Sequence, residues 1–244
     1  MNNLSKKIVD ALNLIIFLIG IIFIIISFLF FKDLRDVLVN IGASFISTAF
    51  IAWITRHYIF ELDKKKEIIE NWGLKNIYDS KTIMNQDSNL LLDKCKKNLD
   101  IMAIGMSGYL AAKENELKTL VRNGCTIRLL VCNPNSDAII IRANDEPSTP
   151  VDKLKSDILE LRKWVKDMNT QYSNNDLSIK YHNTYPAFAY LRIDKNIFWG
   201  PNLYLMPSQQ SMAFSFDSSG KGFDYFSNYF DKLWDKSNFA NNME

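Results

Sequence analysis

A charge imbalance is the first thing this chain lacks: 29 basic residues stand against 27 acidic ones in a total of 244. Bulk electrostatics therefore gives no pointer to nucleic acid. Cysteine is scarce. Cys95, Cys125 and Cys132 show no CxxC spacing, and two of them fall in or beside an apolar run of strand length. Buried free thiols are a better reading than a disulfide or a zinc site. The nine glycines form no Gly-rich phosphate loop, the two histidines no HExxH pair, and no internal repeat is visible.

Apolar residues are plentiful but unevenly placed. Ala11–Phe31 carries no charge and a single Asn. It is long enough to cross a hydrocarbon core of roughly 30 Å as a helix. Lys6 and Lys7 precede it, as in a signal peptide, but the run is too long for that and no small-x-small cleavage pattern follows. A second uncharged segment, Val37–Thr55, begins after only "KDLRD", so the two form a tight antiparallel hairpin. Lys6 and Lys7 flank one end; Arg56, Lys64, Lys65 and Lys66 flank the other. The positive-inside rule puts both termini in the cytoplasm.

The two spans differ. The first is greasy all round and reads as a lipid-facing anchor. The second carries Asn40, Ser44, Ser47 and Thr48 at i, i+4, i+7 and i+8, a spacing that gathers polar atoms on one helical face. Such a face packs against the first helix or a sister subunit, or lines a water-filled path between several copies. These four residues are the pore-lining candidates. Beyond Thr55 the helix is expected to continue through Ile59, Leu62, Ile68, Ile69 and Trp72 to Gly73 as a stalk, with His57 near the membrane surface. The domain boundaries are thus 1–60 for the membrane region, 61–73 for the stalk and 74–244 for a cytosolic domain.

That domain reads as α/β. "LLLDKCKKN" is a short amphipathic helix and Leu99–Met106 a buried strand. Ser107 to Gly124 is a helix capped by Ser107, and Cys125–Cys132 a second buried strand. Strand, helix, strand with short joints gives a right-handed parallel crossover. Leu154, Ile158, Leu161, Val165 and Met168 stripe a long surface helix. "LSIKYH" is a third strand, "AFAYLRID" and "NIFWG" a hairpin through Asp194-Lys195, and Met212–Phe216 a further short strand. An aromatic-rich helix closes the chain, with Phe223, Phe226, Phe230, Leu233 and Trp234 inward. Five basic and three acidic residues precede His57, leaving 24 of each in the cytosolic part, so a basic nucleic-acid groove is not implied.

Four segments, in order, resemble the small bacterial phospholipase D-like domains: "GLKNIYDS", "LDKCKKNLDIMAIGMS", "LVRNGCTIRLLVCNPNSDAIIIRA" and "FSNYFDKLWDKS". The resemblance spans roughly Gly73 to Ser237. It implies a phospholipase D-like α/β sheet and a His-x-Lys-x4-Asp motif in the strand "AFAYLRID". Asp194 is present, but the His position is Ala187 and the Lys position Ala189. Alanine offers neither a nucleophile nor a proton, so the resemblance implies the fold without its phosphodiesterase chemistry.

A pocket can outlast its chemistry. In open α/β sheets ligands sit at the carboxyl ends of strands, where helix N-termini point. The candidate ligand contacts there are Ser107, Asn133, Ser136, Arg142, His182, Tyr190 and Arg192, a set suited to phosphate and base. Arg142 and Arg192 have an alternative use in pairing with a buried carboxylate. No cofactor, metal or catalytic residue is assigned. The whole plan is similar to that of bacterial antiphage transmembrane effectors, oligonucleotide-regulated channel effectors of Hailong systems among them. That similarity implies a homo-oligomer in the lipid bilayer of a bacterial inner membrane, a nucleotide or oligonucleotide ligand, and a signal-making enzyme encoded nearby. Two other readings stand beside it: a membrane-bound phosphodiesterase or nuclease with a rearranged site built on His182, and a membrane-tethered protein-binding scaffold.

Overall fold

The two uncharged runs are helical in the computed structural model, which describes residues 3–29, 33–146, 149–172, 176–185 and 187–239. The chain forms two compact units, Met1–Glu67 and Ile68–Glu244.

In the first unit, α1 spans Asn3–Leu29 and α2 starts at Arg35. Val9–Leu29 and Arg35–Arg56 are long and apolar enough to cross a membrane. The helices cross where each has a glycine: a Cβ on Gly20 would lie 2.7 Å from the Gly42 carbonyl oxygen, and one on Gly42 the same distance from that of Gly20. Small residues permit this approach, which is how helices gain contact in lipid. Phe23 stacks on Phe45 at 6.0 Å, and Asn13 Nδ2 donates to the Ala49 carbonyl at 3.1 Å. Asp10 pairs with Arg56, tying the start of one span to the end of the other. The expectations for His57, Ile59, Leu62 and Ile68 concern side chains outside the described ones.

α2 runs unbroken to Trp72, so the second unit begins inside this helix rather than at residue 74. Gly73 ends it at φ +64, a conformation that favours glycine. The order that follows is β1 (Leu74–Tyr78), α3 (Lys81–Leu92), β2 (Asn98–Ala103), α4 (Ser107–Arg122), β3 (Thr126–Cys132), α5 (Asp137–Asp145) and α6 (Val151–Tyr172). Then come β4 (Leu177–His182), β5 (Phe188–Ile193), β6 (Asn196–Pro201), a 3-10 turn (Ser208–Gln210), β7 (Ala213–Asp217), α7 (Lys221–Lys236) and β8 (Asn238–Phe239). Among the described residues, eight strands form one mixed sheet, β1-β7-β6-β5-β2-β3-β4-β8. β2, β3 and β4 are parallel and the other pairings antiparallel. The α/β class and the helical hairpin ahead of it are as the sequence implies.

Strand alternation divides the core into two layers. Leu99, Ile101, Ile127, Leu129, Leu191 and Phe198 face one side, beneath α3, α4 and α6; all five striped positions of α6 are buried there. Met102, Leu130, Tyr190 and Ile197 face the other, beneath Phe230 and Trp234 of α7. Buried Asp100 lies on the α7 side, where Arg128 grips it bidentately at 2.6 and 2.8 Å and Arg192 Nη1 approaches at 3.5 Å.

Several boundaries differ from expectation. The helix ahead of β2 is α3, capped by the Ser80 side chain on the Ile83 amide, and "DKCKK" is the turn after it. Ser107 is the first residue of α4 rather than its cap, which is Met106 and gives no side-chain hydrogen bond. Strand β2 stops at Ala103 because the chain turns away through Gly105 to seat Met106 in the core.

The β5–β6 hairpin turns at Asp194, whose φ is +49. Its carboxylate accepts the amides of Lys96, Lys97 and Asn98 at 2.9 Å each. Burial works to raise this carboxyl's pKa, but the three amides and the Arg192 charge outweigh it, so the pKa lies below the usual value. The stabilisation is complete above the unfolded pKa of about 4 and is lost as pH falls through the lower folded value. Asp194→Ala leaves three amides without this acceptor. We expect a loss of about 2 kcal/mol at pH 7, read by thermal melts, that shrinks towards zero in acid.

Candidate functional site

The carboxyl end of β2 opens into a cavity of about 250 Å³. Its walls come from the start of α3 (Lys81, Met84, Asn85), the β2–α4 joint (Ala103 to Tyr109), Ala189 and Gly200 of the hairpin, and the loop carrying Asn202 and Ser208. Ala189 is the position where the phospholipase D-like motif would place its lysine. Its methyl leaves room, and a different lysine occupies the region.

Lys81 is 3% exposed. Its Nζ donates to Asn202 Oδ1 at 2.9 Å and to Ser208 Oγ at 3.1 Å, and Ser208 in turn donates to Asn202 Oδ1 at 3.1 Å. Its stem passes over Gly200, where a Cβ would sit 2.6 Å from Lys81 Cε. Burial first, and the nearby Arg142 charge second, push the Lys81 pKa down to about 8 against an opposing pull from Glu146. The carboxylates at the rim already have cations: Glu146 pairs with Arg142, and Asp157 with Lys153 at 3.2 Å. Lys81 is held by neutral groups instead. A buried ammonium with only amide and hydroxyl partners is incompletely compensated, and an anion entering the cavity would complete it. Ser107, the first residue of α4, stands on the same wall with the positive end of that helix dipole.

The sequence-derived contacts separate into three groups. Ser107 borders the cavity. Tyr190 borders it as well, yet its ring lies on the other face of the sheet, stacked on Phe230 at 5.1 Å. Arg192 shares that far face, donating from Nε to the Asp194 carbonyl at 3.0 Å and lying over the Phe223 ring. Alternation along β5 requires this: with Ala189 and Leu191 facing the cavity side, residues 190 and 192 face away. Arg142 lies behind Glu146 and donates to the Leu203 carbonyl at 3.3 Å, the structural use foreseen as its alternative.

Asn133, Ser136 and His182 build the ends of β3 and β4 and do not border the cavity. Asn133 Nδ2 donates to Asn183 Oδ1 at 3.0 Å, and Ser136 Oγ to the Asn133 carbonyl at 2.8 Å. His182 is 4% exposed, with Nδ1 3.0 Å from Thr184 Oγ1. Desolvation, partly offset by Thr184, pushes its pKa down to about 4, so it is a neutral core side chain at pH 7. None of the residues bordering the cavity is a histidine.

Lys81, Asn202 and Ser208 escaped the sequence reading. One signal was available. A cation in the first turn of a helix opposes the helix dipole, so a lysine directly after an N-cap serine calls for a tertiary reason.

In the membrane-spanning unit, Asn40, Ser44, Ser47 and Thr48 are all exposed, while Gly42 and Ala49 of the same helix are buried. The polar face therefore does not pack on α1. Ser44 Oγ bonds the Asn40 carbonyl at 2.8 Å and Thr48 Oγ1 the Ser44 carbonyl at 2.7 Å, so both hydroxyls are satisfied by the helix itself.

No protein-family model matches the chain, and no curated protein sequence matches it. Among solved structures it is similar to TrmBL2, an archaeal chromatin protein (11% identity, 82% of this chain and 70% of that one, TM-score 0.45). It is similar to the phospholipase D family member Nuc from Salmonella typhimurium (10%, 62% and 89%, 0.42) and to NucT from Helicobacter pylori (11%, 68% and 99%, 0.43). Likeness at this level says nothing of substrate or partner.

Proposed function

We propose that the chain is a ligand-gated membrane effector. Its α/β unit binds a phosphate-bearing nucleotide or oligonucleotide, and the bound state is passed along α2 to a transmembrane region that permeabilises the bacterial inner membrane as a homo-oligomer, in antiphage defence. The reading is carried by Lys81: a buried cation on a cavity wall, held by neutral partners, beside a helix N-terminus and with no nucleophilic histidine bordering it. Such a site binds an anion and leaves it intact. A cavity of about 250 Å³, just below the ~300–1,000 Å³ of small-molecule pockets, has room for a phosphoryl group and its sugar, so an oligonucleotide would insert one end. In the oligomer, Asn40, Ser44, Ser47 and Thr48 line the path; their hydroxyls, already bonded to backbone, present oxygen to water at little cost.

The test uses the full chain in lipid nanodiscs and a panel of mononucleotides, cyclic dinucleotides and short oligonucleotides. A ligand at 100 times its Kd stabilises by about 2.7 kcal/mol, which a thermal shift reads readily. The same compound should release a trapped dye or potassium from proteoliposomes, and Ser44→Leu should abolish release while leaving the thermal shift. Absence of a shift across the panel overturns the ligand; a shift without release overturns the channel; turnover of the bound compound overturns the receptor reading in favour of an enzyme.

A further inference from the structure

Two thiols face each other at the opposite ends of the same strands. β2 and β3 are parallel, so their amino ends lie side by side. Cys95 stands in the turn that leads from α3 into β2, and Cys125 directly precedes β3. Their sulfurs are 3.6 Å apart across 30 residues of chain. The turn is held in place from outside, since Asp194 clamps the amides of Lys96, Lys97 and Asn98 immediately after Cys95. The two environments differ. Cys125 is buried, while Cys95 is half-buried and borders a surface groove of about 260 Å³ with Asp93, Asn115, Glu116 and Asn123. Solvent therefore reaches Cys95 first. The hydrogen bond between the sulfurs is also lopsided: it lowers the Cys95 pKa against opposing burial, and raises that of Cys125, which keeps its proton. Cys132, the third cysteine, is buried 3.9 Å from His182 Nε2.

We infer that Cys95 and Cys125 form a reversible dithiol–disulfide pair, with Cys95 attacking a peroxide and Cys125 resolving the product. The Cys95 thiolate attacks one oxygen of hydrogen peroxide; the S–O bond forms, the O–O bond breaks, and the departing hydroxide takes up a proton to become water. The Cys125 sulfur then attacks the Cys95 sulfur, and the S–O bond breaks. Hydroxide leaves with the Cys125 proton as a second water. Two thiols lose two electrons in total, and one peroxide is reduced to two waters. The sulfurs must close by about 1.5 Å to reach disulfide length, and Cys95 makes that movement from a turn outside the sheet ladder. The bond closes a loop containing β2 and α4, the crossover that supplies the Ser107 wall of the cavity. Nothing in this pair depends on the ligand proposed for that cavity.

The experiment takes the full chain in detergent micelles, fully reduced, and adds hydrogen peroxide in modest excess before denaturation, alkylation and peptide mass analysis. The expected product is a Cys95–Cys125 linked peptide, two hydrogens lighter, reversed by dithiothreitol, with Cys132 recovered as a free thiol. Oxidation should raise Tm by about 10 °C, as closing a loop of this length predicts. Cys95→Ser, a change at a half-exposed position, should remove both the link and the rise. Recovery of both thiols unlinked, oxidation of Cys95 to a sulfinic acid with Cys125 untouched, or a link formed only between chains would each overturn the inference.

Discussion

Gly220→Ala is expected to melt the α/β unit about 10 °C or more below the parent chain, a loss on the order of 4 kcal/mol. A Cβ at Gly220 would lie 2.0 Å from the Gly73 nitrogen, 2.3 Å from the Trp72 carbonyl carbon and 2.5 Å from the Gly73 Cα. All three are backbone atoms, so no side chain can rotate away, and either the last turn of α2 or the start of α7 must move. Neither is free. Gly73 is itself in the left-handed region, its carbonyl accepts the Asp217 amide at 2.9 Å, and Trp72 packs edge-on against Tyr225 of α7. Gly108→Ala is the control: nothing lies within 4 Å of its Cβ, so near-parental melting is expected. Equal melting of the two variants, followed by near-UV circular dichroism, would show that the junction yields. On the proposed function this junction matters beyond stability, because α2 enters the α/β unit there. A variant such as Gly220→Ala that still bound ligand in the cold should fail to release dye from proteoliposomes.

How much of this was legible depends on the range over which each signal acts. The stripe of α6 and the β5–β6 hairpin are local patterns, and the sequence carries them in full. α3 was misplaced because Leu90, Leu91 and Leu92 look like the start of an apolar stripe when they are its end. Ser80, ten residues earlier, was the stronger signal. β1 was missed as a strand because its partner, β7, lies about 140 residues away and this edge strand is not apolar throughout. At the site, counting back from Asp194 to Ala187 and Ala189 located the emptied motif. The same count could have excluded Tyr190 and Arg192, since neighbours on a strand point to opposite faces. Lys81 could not be paired with Asn202 from sequence, because 121 residues and a sheet's worth of topology separate them.

The sharpest test of the cavity is Lys81→Met, which keeps the buried stem over Gly200 and removes the charge. With the nucleotide that gives the largest thermal shift as probe, affinity should fall about 100-fold, some 3 kcal/mol for losing one member of a buried charged contact. The pH profile separates a binding role from a structural one. In the free protein Lys81 loses its proton near pH 8, so affinity for an anion should decline as pH rises beyond that value, and the Met variant should show no such decline. Stability moves the opposite way. Between about 8 and the ordinary lysine value of about 10.4, the unfolded chain holds a proton that the folded one has given up, so the parent chain gains stability as pH rises through this window. Below it the cost of burying the ammonium is present in full. Lys81→Met removes that cost but takes one donor from Ser208 and one from Asn202, whose Oδ1 keeps the Ser208 hydroxyl, so its melting temperature at pH 7 should stay within a few degrees of the parent's, about 1–2 kcal/mol either way. A large affinity loss at near-constant stability places the ammonium on the ligand. A parallel fall in both would instead make Lys81 a strut between α3 and the Asn202 loop.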